Sequence, residues 1–236
     1  MPIDVKMDDH VAVVTLNEGE NRFNQNFLMQ FLDALDYVEK ETKASVLVVT
    51  GANEKIFSNG IDLEWLLPVM QNNDSATSKK FIETMMALFK RVLLFPMPTI
   101  VALSGHAFAG GAILSCYFDF RFMRSDRGFL CFPEVDLGIP FLPGMLAAMK
   151  KAVPRDVLEQ MVITGKRMTA KECEQYRIIT KACPIEKLME ETIAFAKTLN
   201  KKRSTVAIMK ADLNKDIVYA LEHEDQPIIE SGRFYV

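Results

Sequence analysis

Apolar residues along the first hundred positions recur at two spacings, and the alternation between them predicts the elements. Val11-Ala-Val-Val-Thr-Leu16 is a β-branched run between polar residues, which predicts a strand with residues 3–8 as its hairpin partner. From Gln25 the period lengthens. Phe27, Leu28, Phe31, Leu32, Leu35 and Val38 fall on one face of a helix. Ser45-Val-Leu-Val-Val-Thr50 is apolar at nearly every position, the pattern of a strand covered on both faces. Strand, helix, strand in this order predicts parallel pairing. Residues 51–60 read as a loop broken by Asn59-Gly60, with a short helix restarting at Ile61. The polar run 71–78 reads as a mobile segment or a helix lead-in. The next helix carries Phe81, Met85, Leu88, Phe89 and Val92 on one face and stops at Pro96 and Pro98.

Thr99-Ile-Val-Ala-Leu103 is a further strand, and it feeds a glycine-rich turn over residues 105–111. Ala112-Ile-Leu-Ser-Cys116 is small and apolar enough to pack as a buried helix. Strands are expected at 119–123 and 128–132, the latter ending at Pro133-Glu134. A helix of about ten residues is expected from Pro143 and another from Pro154, taken as its first helical residue. Thr169-Ala-Lys-Glu172 has the wording of a capping box. Residues 178–181 read as a short strand, and from Pro184 the chain is helical and amphipathic. The boundary predicted on this pattern lies near residue 185, dividing a core over 1–184 from a helical region over 185–236.

Composition narrows the class. Over 236 residues, 28 basic and 31 acidic side chains leave a net charge of -3, and no basic tract tracks a phosphate backbone, so nucleic acid is not an expected partner. Cys116, Cys131, Cys173 and Cys183 show no C-x-x-C spacing and His10, His106 and His223 are scattered, so neither a metal nor a disulfide framework is expected. The N-terminus lacks a signal pattern, no apolar run reaches about 18 residues, and the C-terminal Phe234-Tyr-Val matches no address signal. The expectation is a cytoplasmic protein with reduced thiols and no membrane contact.

The candidate chemistry sits between Ser104 and Glu134. A strand entering a glycine turn that opens a helix presents free backbone N–H groups, which stabilise anions including the oxyanion of a reacting carbonyl. Glu134 lies between Pro133 and Val135 in apolar company. A carboxyl there has a raised pKa, which suits a base that must take a proton and return it. Gly60-Ile61 is a second turn that delivers N–H groups at a helix start.

Four ordered motifs strongly resemble the crotonase (enoyl-CoA hydratase/isomerase) superfamily. They are Ile56-Phe-Ser-Asn-Gly-Ile-Asp-Leu63, Gly105-His-Ala-Phe-Ala-Gly-Gly-Ala112, Cys116-Tyr-Phe-Asp119 and Phe132-Pro-Glu-Val-Asp-Leu-Gly138. The resemblance runs from residue 3 to about 200. It implies an α/β fold, a spiral of ββα turns with a C-terminal helical region that builds homotrimers or hexamers. It implies an acyl-CoA thioester as substrate, with coenzyme A part of that substrate and no other cofactor, and a place in fatty acid metabolism such as β-oxidation. It also implies an oxyanion hole from the backbone N–H groups of Ile61 and Gly110, with Glu134 catalytic. Substrate or CoA contacts are implied for Arg22, Phe23, Phe57, Ser58, Asn59, Gly60, Asp62, Gly111 and Pro133, with Arg22 and Lys55 as the cations for CoA phosphates.

The acids that are missing point to one reaction in that family. Where the hydratases carry a second glutamate, three residues after Gly110, this chain has Ile113; where dienoyl-CoA isomerases carry an aspartate, it has Leu142. A lone carboxylate shuttles one proton between two carbons more readily than it activates water, so the resemblance is closest to a monofunctional Δ3,Δ2-enoyl-CoA isomerase. The alternatives are another acyl-CoA enzyme of this scaffold (hydratase, hydrolase or dehalogenase) or a non-catalytic acyl-CoA-binding protein. His106 is expected to be a hydrogen-bonded packing residue, Asp119 to fix a turn, Asp62 to cap the helix after Ile61, and Asp136 to be a cap or ion-pair partner. The 14 methionines read as core filler or as the lining of an acyl tunnel.

Overall fold

The computed structural model describes residues 3–231; Phe234-Tyr-Val and the last residues of the predicted 185–236 region lie outside the described residues. In chain order the strands are β1 (Ile3–Asp8), β2 (Val11–Leu16), β3 (Val46–Gly51), β4 (Ile56–Ser58), β5 (Thr99–Leu103), β6 (His106–Phe108), β7 (Phe120–Arg124), β8 (Leu130–Cys131) and β9 (Lys181–Cys183). The helices are α1 (Gln25–Glu41), α2 (Leu63–Gln71), α3 (Ser75–Leu93), α4 (Gly110–Cys116), α5 (Glu134–Leu137) and α6 (Pro143–Ala152). After these come α7 (Arg155–Thr164), α8 (Ala170–Gln175), α9 (Ile185–Lys197), α10 (Arg203–Leu213), α11 (Lys215–Tyr219) and α12 (Asp225–Glu230), with a π-helical turn, Ala220–Glu224, between the last two.

The fold is of the α/β class. Its main sheet has the order β1-β2-β3-β5-β7-β9, with β1 and β2 an antiparallel hairpin and every later pairing parallel. The unbroken apolar wording of β3 follows from its place inside this sheet. Leu47 and Val49 point into the larger core with the apolar stripe of α1, whereas Val46 and Val48 point to the other face with Leu188 and Ala196 of α9. Each such side chain taken from water contributes about 1.5–3 kcal/mol. Because α9 closes that second face, the helices after residue 185 begin as part of the same packed body.

A second, three-stranded parallel sheet, β4-β6-β8, carries the turns of interest. Here the structure departs from the expected pattern. The loop 51–60 contains β4, and the turn 105–111 contains β6. Strands of two or three residues are too short to show a period of two, so their pairing becomes visible only in three dimensions. The polar run 71–78 is mostly helical: α2 continues to Gln71 and α3 starts at Ser75, where the Asp74 side chain accepts from Thr77 N at 3.0 Å. In the main sheet, β9 begins at Lys181 and not at Ile178, because Ile178 N donates to Cys173 O (2.8 Å) and closes α8 first. Pro154 caps α7 instead of occupying its first turn.

Two cations, half-buried Arg203 and buried Lys210, fasten the C-terminal helices to the core. Arg203 donates to Ala44 O (2.6 Å), Glu39 O (2.7 Å) and Thr42 O (3.0 Å), satisfying carbonyls at and just beyond the end of α1. Lys210 of α10 pairs with Asp119 at 2.8 Å. Asp119 in turn accepts from Thr99 N (2.8 Å), the turn-fixing role expected of it. Among the described residues no helix is long and apolar enough to cross a membrane.

Candidate active site

Two backbone turns meet because both are built on glycine. Gly60 has φ +75°, and a Cβ there would lie 2.5 Å from Gly110 N. Gly111 packs as tightly against Ser58, whose carbonyl oxygen a Cβ would approach to 2.5 Å. Ser58 Oγ donates to Asn21 O (2.7 Å) and accepts from Gly60 N (3.1 Å), which sets the turn. Phe23 N donates to Gly60 O (2.7 Å) and Asp62 N donates to Phe23 O (2.9 Å), a short parallel bridge. A bridge of that pattern uses the flanking residues, so the N–H of Ile61 points away from Phe23. The Asp62 side chain accepts from Trp65 N (3.4 Å) and caps α2.

The second N–H is that of Gly110, the first residue of α4, which has no intrahelical acceptor. Before it, Ala109 adopts φ 48°, ψ -127°, a conformation costly for a residue with a Cβ. It is held there by Ala109 N to Cys131 O (3.1 Å) and Ile113 N to Ala109 O (2.9 Å). Ile61 and Gly110 line one cleft, together with Asn59, Leu63, Met85, Ala109, Ile113, Glu134, Leu137, Ile139, Pro140, Phe141 and Met145. Its lining is almost wholly apolar, the usual character of a small-molecule site.

Glu134 is the only titratable side chain in this lining. It opens α5 directly after β8, with Pro133 at the cap position, and is 6% exposed. Its Oε2 is buried and has no hydrogen-bond partner among the described residues. Burial pushes its carboxyl up to about 7, while a hydrogen bond from its own backbone pulls the other way. Ile113, buried at 2%, stands in the lining where a second acid would have to be, and Leu142 is in the core outside the cleft.

The expected binding residues divide into three groups. Asn59, with Ile61, Gly110 and Glu134, reaches the cleft. Phe23 and Phe57 are fully buried, and Ser58, Gly60, Asp62, Gly111 and Pro133 shape the turns around it. Arg22 lies elsewhere: it is paired with Glu20 (2.8 Å) and Glu64 (3.1 Å), in a depression also bounded by Glu18 and Asp62. Glu20 foremost, and then Glu64, raise its pKa, and the acidic surroundings oppose a phosphate beside it. His106 packs on Phe108 and Phe129, as expected, yet its buried Nδ1 has no hydrogen-bond partner among the described residues. Burial, and then the charges of Arg127, Lys55 and Arg167, lower its pKa.

Sequence reasoning missed the wall residues Leu63, Leu137, Ile139, Pro140, Phe141 and Met145 as site residues. Met85 was legible only as part of a helix stripe. Among the described residues no group of three or more His, Cys, Asp and Glu is placed to hold a metal.

A parallel α/β scaffold here brings the turns at Ile61 and Gly110 and one neutral-range carboxyl to the lining of a single apolar cleft, the parts that oxyanion and proton-transfer chemistry would use. The chain belongs to the enoyl-CoA hydratase/isomerase family, which it matches over residues 6–231. It is 32% identical over 209 residues to enoyl-CoA delta isomerase 3 of Arabidopsis thaliana, covering 84% of each chain. It is 31% identical over 215 residues to a putative enoyl-CoA hydratase of Thermus thermophilus, covering 90% of this chain and 81% of the relative. In fold it superposes on the crystal structure of a probable enoyl-CoA hydratase, EchA3, from Mycobacterium tuberculosis with a TM-score of 0.89, at 22% identity over 99% of this chain and 97% of the other.

Proposed function

We propose that this enzyme is a Δ3,Δ2-enoyl-CoA isomerase, converting 3-enoyl-CoA into trans-2-enoyl-CoA. The observation that carries the reading is the solitary carboxyl: Glu134 faces a lining whose other residues are apolar or amide, with Ile113 in the place of a second acid. In the proposed cycle ionised Glu134 removes a proton from C2. The charge moves to the thioester oxygen, where the N–H groups of Ile61 and Gly110 receive it, and protonated Glu134 returns the proton at C4. A carboxyl near 7 is poised for both halves of this exchange. Hydration would need a second acid–base group, one to activate water and one to protonate carbon, and the lining holds only Glu134. Similarity to the Arabidopsis delta isomerase supports the same choice.

The reading needs no cofactor beyond the CoA carried by the substrate, and the buried thiols of the four cysteines suit a reducing cytoplasm. It also includes a homotrimer or hexamer formed through the helices after residue 185. Ile208 (65% exposed), Met209 (58%) and Leu213 (80%) of α10 support this, since such residues favour a covered position. Sedimentation as a monomer at micromolar concentration would rule the assembly out.

The catalytic test is turnover of 3-hexenoyl-CoA against hydration of crotonyl-CoA by the wild type and Glu134→Gln. The wild type is expected to isomerise, and the variant to lose at least about 10²–10⁴-fold in kcat, the usual worth of a general base. Binding of a saturated acyl-CoA should stay within about twofold, because removing a group that acts on the transition state leaves ground-state affinity nearly unchanged. Hydration without isomerisation would make the protein a hydratase. Binding with no turnover in the wild type would make it a non-catalytic acyl-CoA-binding protein.

A further inference from the structure

Both polar groups of one peptide residue beside the cleft are held by side chains from distant parts of the chain. Gly144, in the first turn of α6, donates its N–H to Asp225 Oδ1 (2.8 Å). Its carbonyl accepts from the hydroxyl of Tyr117 (3.0 Å). Tyr117 follows α4, is fully buried and packs on Phe89 of α3 with ring centroids 4.9 Å apart. Asp225 comes from the other direction, at the start of α12.

The cap of α6 depends on Asp225. Leu142 at the cap position has no side-chain acceptor, so an N–H that helices normally satisfy locally is satisfied from eighty-one residues away. The π-helical turn before α12 brings Leu221 and Asp225 to the same spot. A Cβ on Gly144 would lie 2.5 Å from Asp225 Oδ2 and 2.6 Å from Leu221 Cδ2. Asp225 is itself fully buried, and its Oδ2 has no partner among the described residues. An isolated buried carboxylate is costly to keep, and π-helical turns are often found near functional sites.

What this clamp fixes is the wall of the cleft. Ile139, Pro140 and Phe141 precede Gly144 and Met145 follows it, and all four line the space beside Glu134. We propose that Asp225 and Tyr117 are positioning residues for the acyl chain: by gripping Gly144 they set the wall made by Phe141 and Met145, and through it the acyl groups the cleft accepts. The inference rests on the cleft being an acyl-CoA site, but not on the isomerisation.

The test is the affinity of the full-length protein for octanoyl-CoA, acetyl-CoA and free CoA by calorimetry. Asp225→Ala is expected to weaken octanoyl-CoA about tenfold and to leave acetyl-CoA and CoA within about twofold, the size of one lost buried hydrogen bond read as a ratio. Asp225→Asn keeps an acceptor for Gly144 N–H and is expected to restore the octanoyl-CoA affinity. Equal weakening of all three probes, or an unchanged octanoyl-CoA affinity, overturns the proposal. If Asp225→Ala fails to fold, Tyr117→Phe is judged by the same split between long and short chains. A wild type that binds octanoyl-CoA but turns over no 3-enoyl-CoA removes the isomerase reading alone, whereas a wild type that binds none of the three removes both.

Discussion

Glu134 shows what a buried carboxyl costs its fold. Burial raises its carboxyl from 4.5 to about 7, so the folded protein holds a proton that the unfolded chain would already have released. The sign follows from linkage: this group's contribution is most favourable below pH 4.5 and is lost as pH rises through about 7. Glu134→Gln removes the titration. The variant is therefore expected to match the wild type near pH 4 and to exceed it in urea denaturation at pH 8, by at most on the order of 3 kcal/mol. Equal stability at pH 8 would mean that the carboxyl is not held in this environment. The same titration should govern catalysis, with kcat/KM falling about tenfold per pH unit below pH 7 as the base becomes protonated. Ile113 completes the argument. A second carboxyl at that position would drive the two apart in pKa, and its absence lets Glu134 work alone near neutrality.

At the scale of elements, the site depends on how closely two turns approach. Gly60 and Gly110 leave no room for a side chain between them, and Gly60 is in the left-handed region that glycine favours. Gly60→Ala is expected to push the Ile61 and Gly110 N–H groups apart. The fold should survive, as circular dichroism would report, while kcat drops at least about 10²-fold, the cost typical of losing one oxyanion donor. Activity within a few-fold of wild type would take these amides out of the reaction. Both turns could be found in the sequence, because glycines after an apolar run and an Asn-Gly break are strong local signals. The long elements, β2, β3, α1 and α3, were legible for the same reason: their apolar periods extend over many residues. The small sheet was not, since β4, β6 and β8 have two or three residues each and owe their pairing to segments some fifty and twenty positions apart. Phe141 and Met145 were missed as site residues on other grounds. Nothing local distinguishes an apolar residue facing a cleft from one facing the core.

Across the whole molecule, the C-terminal helices do more than follow the core. They take hold of the segment after α4 at two points: Asp225 meets Tyr117 at Gly144, and Lys210 reaches Asp119 two residues later in the chain. Lys151 of α6 adds a bond to Phe118 O (3.0 Å) between them. The site turn at Gly110 and the wall at Met145 are thus braced from one region of chain. Lys210 is the member of this brace whose removal is most readily measured. It is buried, desolvation lowers its pKa, and without it Asp119 would keep its hydrogen bonds from Thr99 N (2.8 Å) and Thr99 Oγ1 (3.0 Å) and the more distant charges of Lys151 and Arg121. Lys210→Met keeps most of the side-chain volume and should lower stability in urea by about 1–3 kcal/mol, because breaking one side of a largely buried pair leaves the other charge without its nearest partner. Asp119→Asn in the same chain should recover part of that loss, and a double-mutant cycle would give the coupling directly. Hydrogen exchange in α10 should quicken in the single variant and slow again in the double. Additive losses with no coupling would show that the ion pair does not hold α10 to the core, and the packing of its apolar side chains would then have to account for the docking by itself.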